Sequence, residues 1–226
     1  MAADAAVPGW FGKISTLGDF AHRRLPPPWL QACDAWLSQA LRASRARLGE
    51  RWLDVYLTTP TQRFAWAPGV IDEQWWFGLF MPSCDSVGRY FPLVIAQSRA
   101  SAPRDCEALA QLERWYEHLV VAAMRTLDER GTPVEALEET LRESPPWTDA
   151  PERTDEDAAV RPGRWTIAPT AGLAQWVPAL AATALLDAVA GCSLWWPVDA
   201  SGAPGNVRIV RGLPWDEDFV DLLEGR

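Results

Sequence analysis

The sequence predicts an α+β fold: an antiparallel β-sheet of about five or more strands flanked by α-helices, with a C-terminal α/β segment packed on it. Three observations carry this. Apolar, aromatic-rich runs broken by Pro and Gly crowd into residues 52–98, and their connections are short enough to favour antiparallel neighbours. Longer runs with helical spacing stand on either side of that block, at 29–48 and 105–130. Helices and strands are therefore segregated rather than strictly alternating, which argues against a doubly wound sheet.

Taken in order, residues 9–14 (GWFGKI) read as a short strand between glycines. The loop STLGDFAHRRLPPP follows, and its prolines suit the entry to a helix. Over 29–48, apolar or small residues recur at Trp29, Cys33, Trp36, Leu37, Ala40, Leu41, Ser44 and Leu48. Arg42, Arg45 and Arg47 suit the negative end of the helix dipole, and Gly49 can close it. Strands are expected at 52–58, 62–67, 75–81 and 90–98, a four-strand meander that the first strand joins. The helix over 105–130 is expected to bury Leu109, Leu112, Tyr116, Leu119, Ala123 and Leu127. Gly131 stops it, and Thr132-Pro133-Val134-Glu135 resembles a capping box before a helix ending near Arg142. Residues 144–164, rich in Pro, Asp and Glu, read as a long acidic loop. A strand at 165–167, a helix over 178–190, strands at 193–198 and 206–210 and a helix within 214–223 complete the chain. The expected organisation is one domain: core 9–143, acidic loop 144–164, and a segment 165–226 packed on the core.

Composition narrows the function. The 226 residues are 48% hydrophobic and 23% charged, an ordinary globular profile that excludes wholesale disorder. Lys and Arg number 21 against 30 Asp and Glu, a net charge of −9. With Lys13 the only lysine and the arginines scattered, a nucleic-acid partner is not expected. Cys33, Cys84, Cys106 and Cys192 form no C-x-x-C pair, so no zinc site is expected. The first seven residues hold Asp4, no basic residue and no apolar run, so we expect no signal peptide, free thiols and a cytoplasmic location. The apolar stretch 171–190 is interrupted by Gln175, Pro178 and Asp187. A helix from Pro178 would be about 20 Å long against a bilayer core of roughly 30 Å, so no membrane insertion is expected. The 14 tryptophans imply either a Trp-rich core or an aromatic binding face.

Catalytic patterns are weak. Ser83, Cys84 and Asp85 adjoin, but His22 and His118 are the only histidines and no G-x-S-x-G elbow exists. Gly9, Gly12, Lys13 and Gly18 lack the Walker spacing. No catalytic residue, cofactor or metal is assigned. The segment MPSCDSVGRYFPL (81–93) joins two apolar strands, so its tip should be exposed. Asp85 and Arg89 could pair there or hold the turn, and Gly88 permits a positive φ. It reads either as a recognition loop or as a pinned hairpin turn.

GWFGKISTLGDFAHRRLP (9–26), the helix bearing Trp36 and Leu37, and MPSCDSVGRYFPL resemble the TagF family, also called ImpM, accessory proteins of bacterial type VI secretion. SLWWPV (193–198), RGLP (211–214) and Phe219 resemble its C-terminal part. Ser86 stands where the family commonly has Arg. The resemblance implies a cytoplasmic regulator rather than an enzyme. Some relatives repress secretion after translation, on or beside a pathway of a kinase, a phosphatase and a forkhead-associated scaffold protein. The expected partner is thus a component of the apparatus or that scaffold. Lys13, Asp19, Arg23, Asp85 and Arg89 are the expected polar part of the partner-binding surface. Trp195 and Trp196 alternate in a strand, so one is expected in the core and the other at a groove. Opposed charge changes, Asp85→Arg or Arg89→Glu, are expected to weaken binding without unfolding. The alternatives are a small hydrolase using Ser83 or Cys84, or a structural subunit of the apparatus.

Overall fold

Strands that are apolar at nearly every position fit a sheet covered on both faces. The computed structural model, which describes residues 7–127, 133–147, 181–182, 184–198 and 206–226, has that arrangement. Its strands are β1 (Gly9–Gly12), β2 (Ala21–Arg23), β3 (Gln62–Trp66), β4 (Trp75–Met81), β5 (Leu93–Arg99), β6 (Cys192–Pro197) and β7 (Arg208–Arg211). They form one antiparallel sheet in the order β2-β1-β5-β4-β3-β6-β7. Helices α1 (Pro27–Leu48), α2 (Trp52–Thr58) and α5 (Glu217–Leu223) cover one face. Helices α3 (Cys106–Arg125) and α4 (Val134–Arg142) cover the other. The architecture is α+β.

Strand alternation sorts the side chains into two cores. Phe11, Phe64, Trp66, Trp76, Phe80, Val94, Ala96 and Trp195 face α1 and α5. Trp10, Ala65, Trp75, Phe77, Leu79, Met81, Leu93 and Ile95 face α3 and α4. In the first core the rings of Trp29, Trp36, Phe64, Trp66 and Trp195 lie 4.2–5.8 Å from their neighbours. The Trp36 indole N–H donates to Pro214 O at 2.8 Å, tying α1 to the C-terminal segment.

The helix signals act as their chemistry requires. Gly49 closes α1 at φ 57°, returning its N–H to Arg45 O. Asp105 caps α3 by accepting the Ala108 N–H at 2.8 Å. Helix α4 is held from outside: Glu138 accepts the Trp10 indole N–H at 2.6 Å and two Arg24 N–H groups at 2.6 and 2.9 Å. Arg24 reaches it from a backbone φ of 57°, a conformation that costs a non-glycine residue about 1–2 kcal/mol.

Several expectations are corrected. Residues 52–58 are the helix α2, not a strand. Trp52 and Tyr56 are buried one turn apart, with rings stacked at 4.9 Å, while Leu53 and Leu57 face solvent. The meander therefore has three strands, β3 to β5. Residues 21–23, expected within a loop, pair with β1. The buried stripe of α3 is Ala108, Leu112, Trp115, Tyr116, Leu119, Ala122 and Ala123. Leu109 and Leu127 are exposed, so the stripe is rotated from the expected one. Pro133 is the N-cap of α4 and provides no side-chain bond, while Thr132 lies outside the described residues. At the start of the acidic segment Trp147 is buried against Phe77 and Trp115, and residues 148–164 lie outside the described residues. The strand expected at 165–167 lies outside the described residues, and of the 178–190 helix the described parts 181–182 and 184–188 are helical.

Gly78 stands opposite Phe64, whose ring crosses it. An added Cβ would fall 2.1 Å from Ile95 O and 2.6 Å from the Phe64 ring. Gly78→Ala is expected to destabilise the protein by about 2–3 kcal/mol, read as a lower urea midpoint at unchanged slope.

Candidate functional site

Two loops meet at one end of the sheet, residues 13–20 after β1 and residues 82–92 between β4 and β5. Gly12 ends β1 at φ 131°, and a Cβ there would lie 1.9 Å from Pro92 O, so only glycine lets the two segments approach. Lys13 follows, its side chain 4% exposed. Its ammonium donates to the Asp85 carboxylate at 2.5 Å and sits 4.8 Å from the centre of the Phe20 ring.

Asp85 is the hub. One oxygen accepts Lys13 Nζ and, at 2.6 Å, Arg89 Nε. The other accepts the backbone N–H groups of Val87 and Arg89 at 3.1 and 2.8 Å. The turn closes with Gly88 at φ 80°. Arg89 then crosses to the first loop and donates to Gly18 O at 2.5 Å, while the Ser86 N–H donates to Leu17 O. Burial pushes the Asp85 carboxyl up. The ammonium of Lys13 and the backbone N–H and guanidinium of Arg89, helped by the Val87 N–H, outweigh burial and hold it well below the usual carboxylate range. Glu138 behaves alike: burial raises it, but Arg24, Trp10 and Arg142 bring it below its ordinary value.

Lys13 and Asp85 are thus corrected from surface residues to a buried pair. An ammonium and a carboxylate can leave water here because each neutralises the other and the carboxylate meets further donors. The segment 81–93 is a pinned turn whose tip is exposed. On the outside stand Phe20 and Val87, 46% and 71% exposed, with Ser86 and Arg89 beside them. Asp19 and Arg23 line a neighbouring cleft of about 480 Å³ with Trp10, Phe20 and the start of α4. The structure therefore groups Asp19, Arg23 and Arg89 at this end of the sheet. Trp195 lies in the first core, away from it, and Trp196 is half-buried on the opposite sheet face, its ring edge-on to Tyr116 at 5.3 Å. Sequence reasoning missed Phe20 and Val87. Both loops carry other apolar residues, Ile14 and Leu17 in one and Phe91 in the other, so no local pattern marks these two as exposed.

Ser83 Oγ is buried without a hydrogen-bond partner among the described residues. Its backbone N–H and C=O are both bonded to the Tyr56 hydroxyl, at 3.0 and 2.9 Å. His22 is exposed on β2, and His118 Nε2 lies 2.7 Å from Thr140 O. The four cysteines are free thiols, and no described helix is long and apolar enough to cross a membrane.

Both depressed carboxylates stabilise the fold fully above their unfolded values near pH 4, and this contribution is lost as pH falls through the folded values. Asp85→Asn, which removes the charge facing Lys13, is expected to lower the melting temperature by roughly 5 °C or more at pH 7. It should also flatten the decline between pH 5 and 2. Thermal melts of both proteins across that range measure it. Asp85→Arg, by placing a second cation against Lys13, is expected to unfold the domain rather than only weaken binding.

The comparisons with known proteins agree with this anatomy. Residues 9–144 match the TagF N-terminal domain family, described as type VI secretion system-associated. The crystal structure of PA0076 from Pseudomonas aeruginosa PAO1 is 33% identical. It superposes with a TM-score of 0.75 over 97% of this chain and 94% of that one. No curated protein matches. The matched region holds β1 to β5 and both loops of the pinned face, and by that match the chain belongs to the TagF family of type VI secretion system-associated proteins.

Proposed function

We propose that this chain is a non-enzymatic accessory protein that represses type VI secretion after translation. It does so by docking its two-loop face on a component of the apparatus or on the forkhead-associated scaffold. The observation that carries the reading is the buried Lys13–Asp85 pair, clasped by the exposed Arg89, beside an exposed Phe20 and Val87. Ionic groups are costly to bury, and here they hold two loops in one shape while presenting apolar side chains outward. A preorganised face loses little conformational entropy on association. An exposed aromatic beside an arginine is the composition favoured at the energetic centre of an interface. Arg23 and Arg89 add positive charge to this end of an otherwise acidic chain. The orphaned Ser83 hydroxyl supports a binding role over hydrolysis, because a serine nucleophile needs a base in reach.

Val87→Asp and Arg23→Glu change exposed side chains and should melt within about 1–2 °C of the parent. Each is expected to lose co-purification of the type VI component recovered with the parent, and to fail to restore repression in a strain lacking the gene. Unchanged recovery and unchanged repression in both variants would reject the face. Recovery in fixed stoichiometry with the purified apparatus would favour a structural subunit.

A further inference from the structure

A cavity of about 440 Å³ lies on the sheet face that carries α3. It arises from a mismatch of side-chain size. Phe77, Ala65, Leu194 and Ile209 stand side by side across β4, β3, β6 and β7. The methyl group of Ala65 leaves a hollow among the rings of Trp75, Phe77, Tyr116 and Trp196. Leu186 and Val189 close one side of it. The volume and the apolar, aromatic walls are those of a small-molecule site, for which about 300–1,000 Å³ is typical.

The rim holds a cation. Arg104, in the connection from β5 to α3, lines the cavity, and its Nε is shielded from solvent without a hydrogen-bond partner among the described residues. Two carboxylates share that rim: Asp105 accepts the Ala108 N–H as the cap of α3, and Glu113 pairs with Arg63 at 2.5 Å. A guanidinium N–H left unbonded against apolar walls is a free-energy cost that an anion would relieve.

We propose that this cavity binds a small amphipathic carboxylate, with its apolar body over Ala65 and its carboxylate on Arg104. The proposal goes beyond the docking face and shares no residue with it. The probe is dodecanoate, titrated into the full chain below its micellar concentration by calorimetry, with dodecanol as the uncharged control. One molecule should bind per chain. Arg104→Gln should weaken binding about tenfold or more, since it replaces a charge-assisted bond by a neutral one. Ala65→Leu should abolish binding by filling the floor, and Leu186→Trp should do the same from the opposite wall should Ala65→Leu fail to fold. Three results would overturn the proposal: no uptake of dodecanoate by the folded full chain, dodecanol binding as tight as that of dodecanoate, or equal binding in the parent and the variants.

Discussion

Burial of the sheet on both faces is the constraint on which the rest of this structure depends. A strand covered on one side needs an apolar residue at every second position, whereas β4, with WWFGLFM, offers none to solvent. The tryptophans follow from this: Trp29, Trp36, Trp66, Trp76 and Trp195 fill one core, and Trp10, Trp75, Trp115 and Trp147 the other. So many large rings pack only where small residues alternate with them. Gly78 admits the Phe64 ring, and Ala65 sits beneath the cavity beside Trp196. Most of the tryptophan content thus belongs to the interior, while Trp215 is half-exposed.

Elements with one strong period were legible before the structure. The 22-residue α1 was visible because its buried positions, from Trp29 to Leu48, repeat at three and four. β4 was legible from an uninterrupted apolar run between breakers. Residues 52–58 were not, because WLDVYLT satisfies both periods, and packing of Trp52 and Tyr56 beside α1 decides between them. β2 has three residues of middling polarity, and only pairing with β1 makes it a strand. The rotation of the α3 stripe has a similar origin. Trp115 and Ala122 are drawn inward by the sheet, whereas the leucines at 109 and 127 look apolar in sequence but stay exposed.

The candidate face was half legible, for an electrostatic reason. Charged residues are ordinarily read as surface. Lys13 and Asp85 violate that rule because they are 72 residues apart in sequence and 2.5 Å apart in space. No local pattern announces such a pair. What the sequence did signal was the turn: an aspartate followed by a glycine and an arginine, between two strands. The exposed apolar residues of the two loops, Phe20 and Val87, lie 67 positions apart and are brought to one end of the sheet where Arg89 and Ser86 join the loops.

The position of β6 has a consequence for the boundary between the two parts of the chain. The family match ends at residue 144, yet β3 uses one edge for β4 and the other for β6, and Trp195 and Phe219 sit against Trp36. Residues 9–144 alone would leave the backbone donors and acceptors of β3 open along that edge and the tryptophans of α1 uncovered. An apolar, unprotected edge strand is a template for pairing with other chains. During synthesis the amino-terminal two-thirds must therefore wait for the last strands to emerge, so this is a fold completed at its end, exposed to self-association until then.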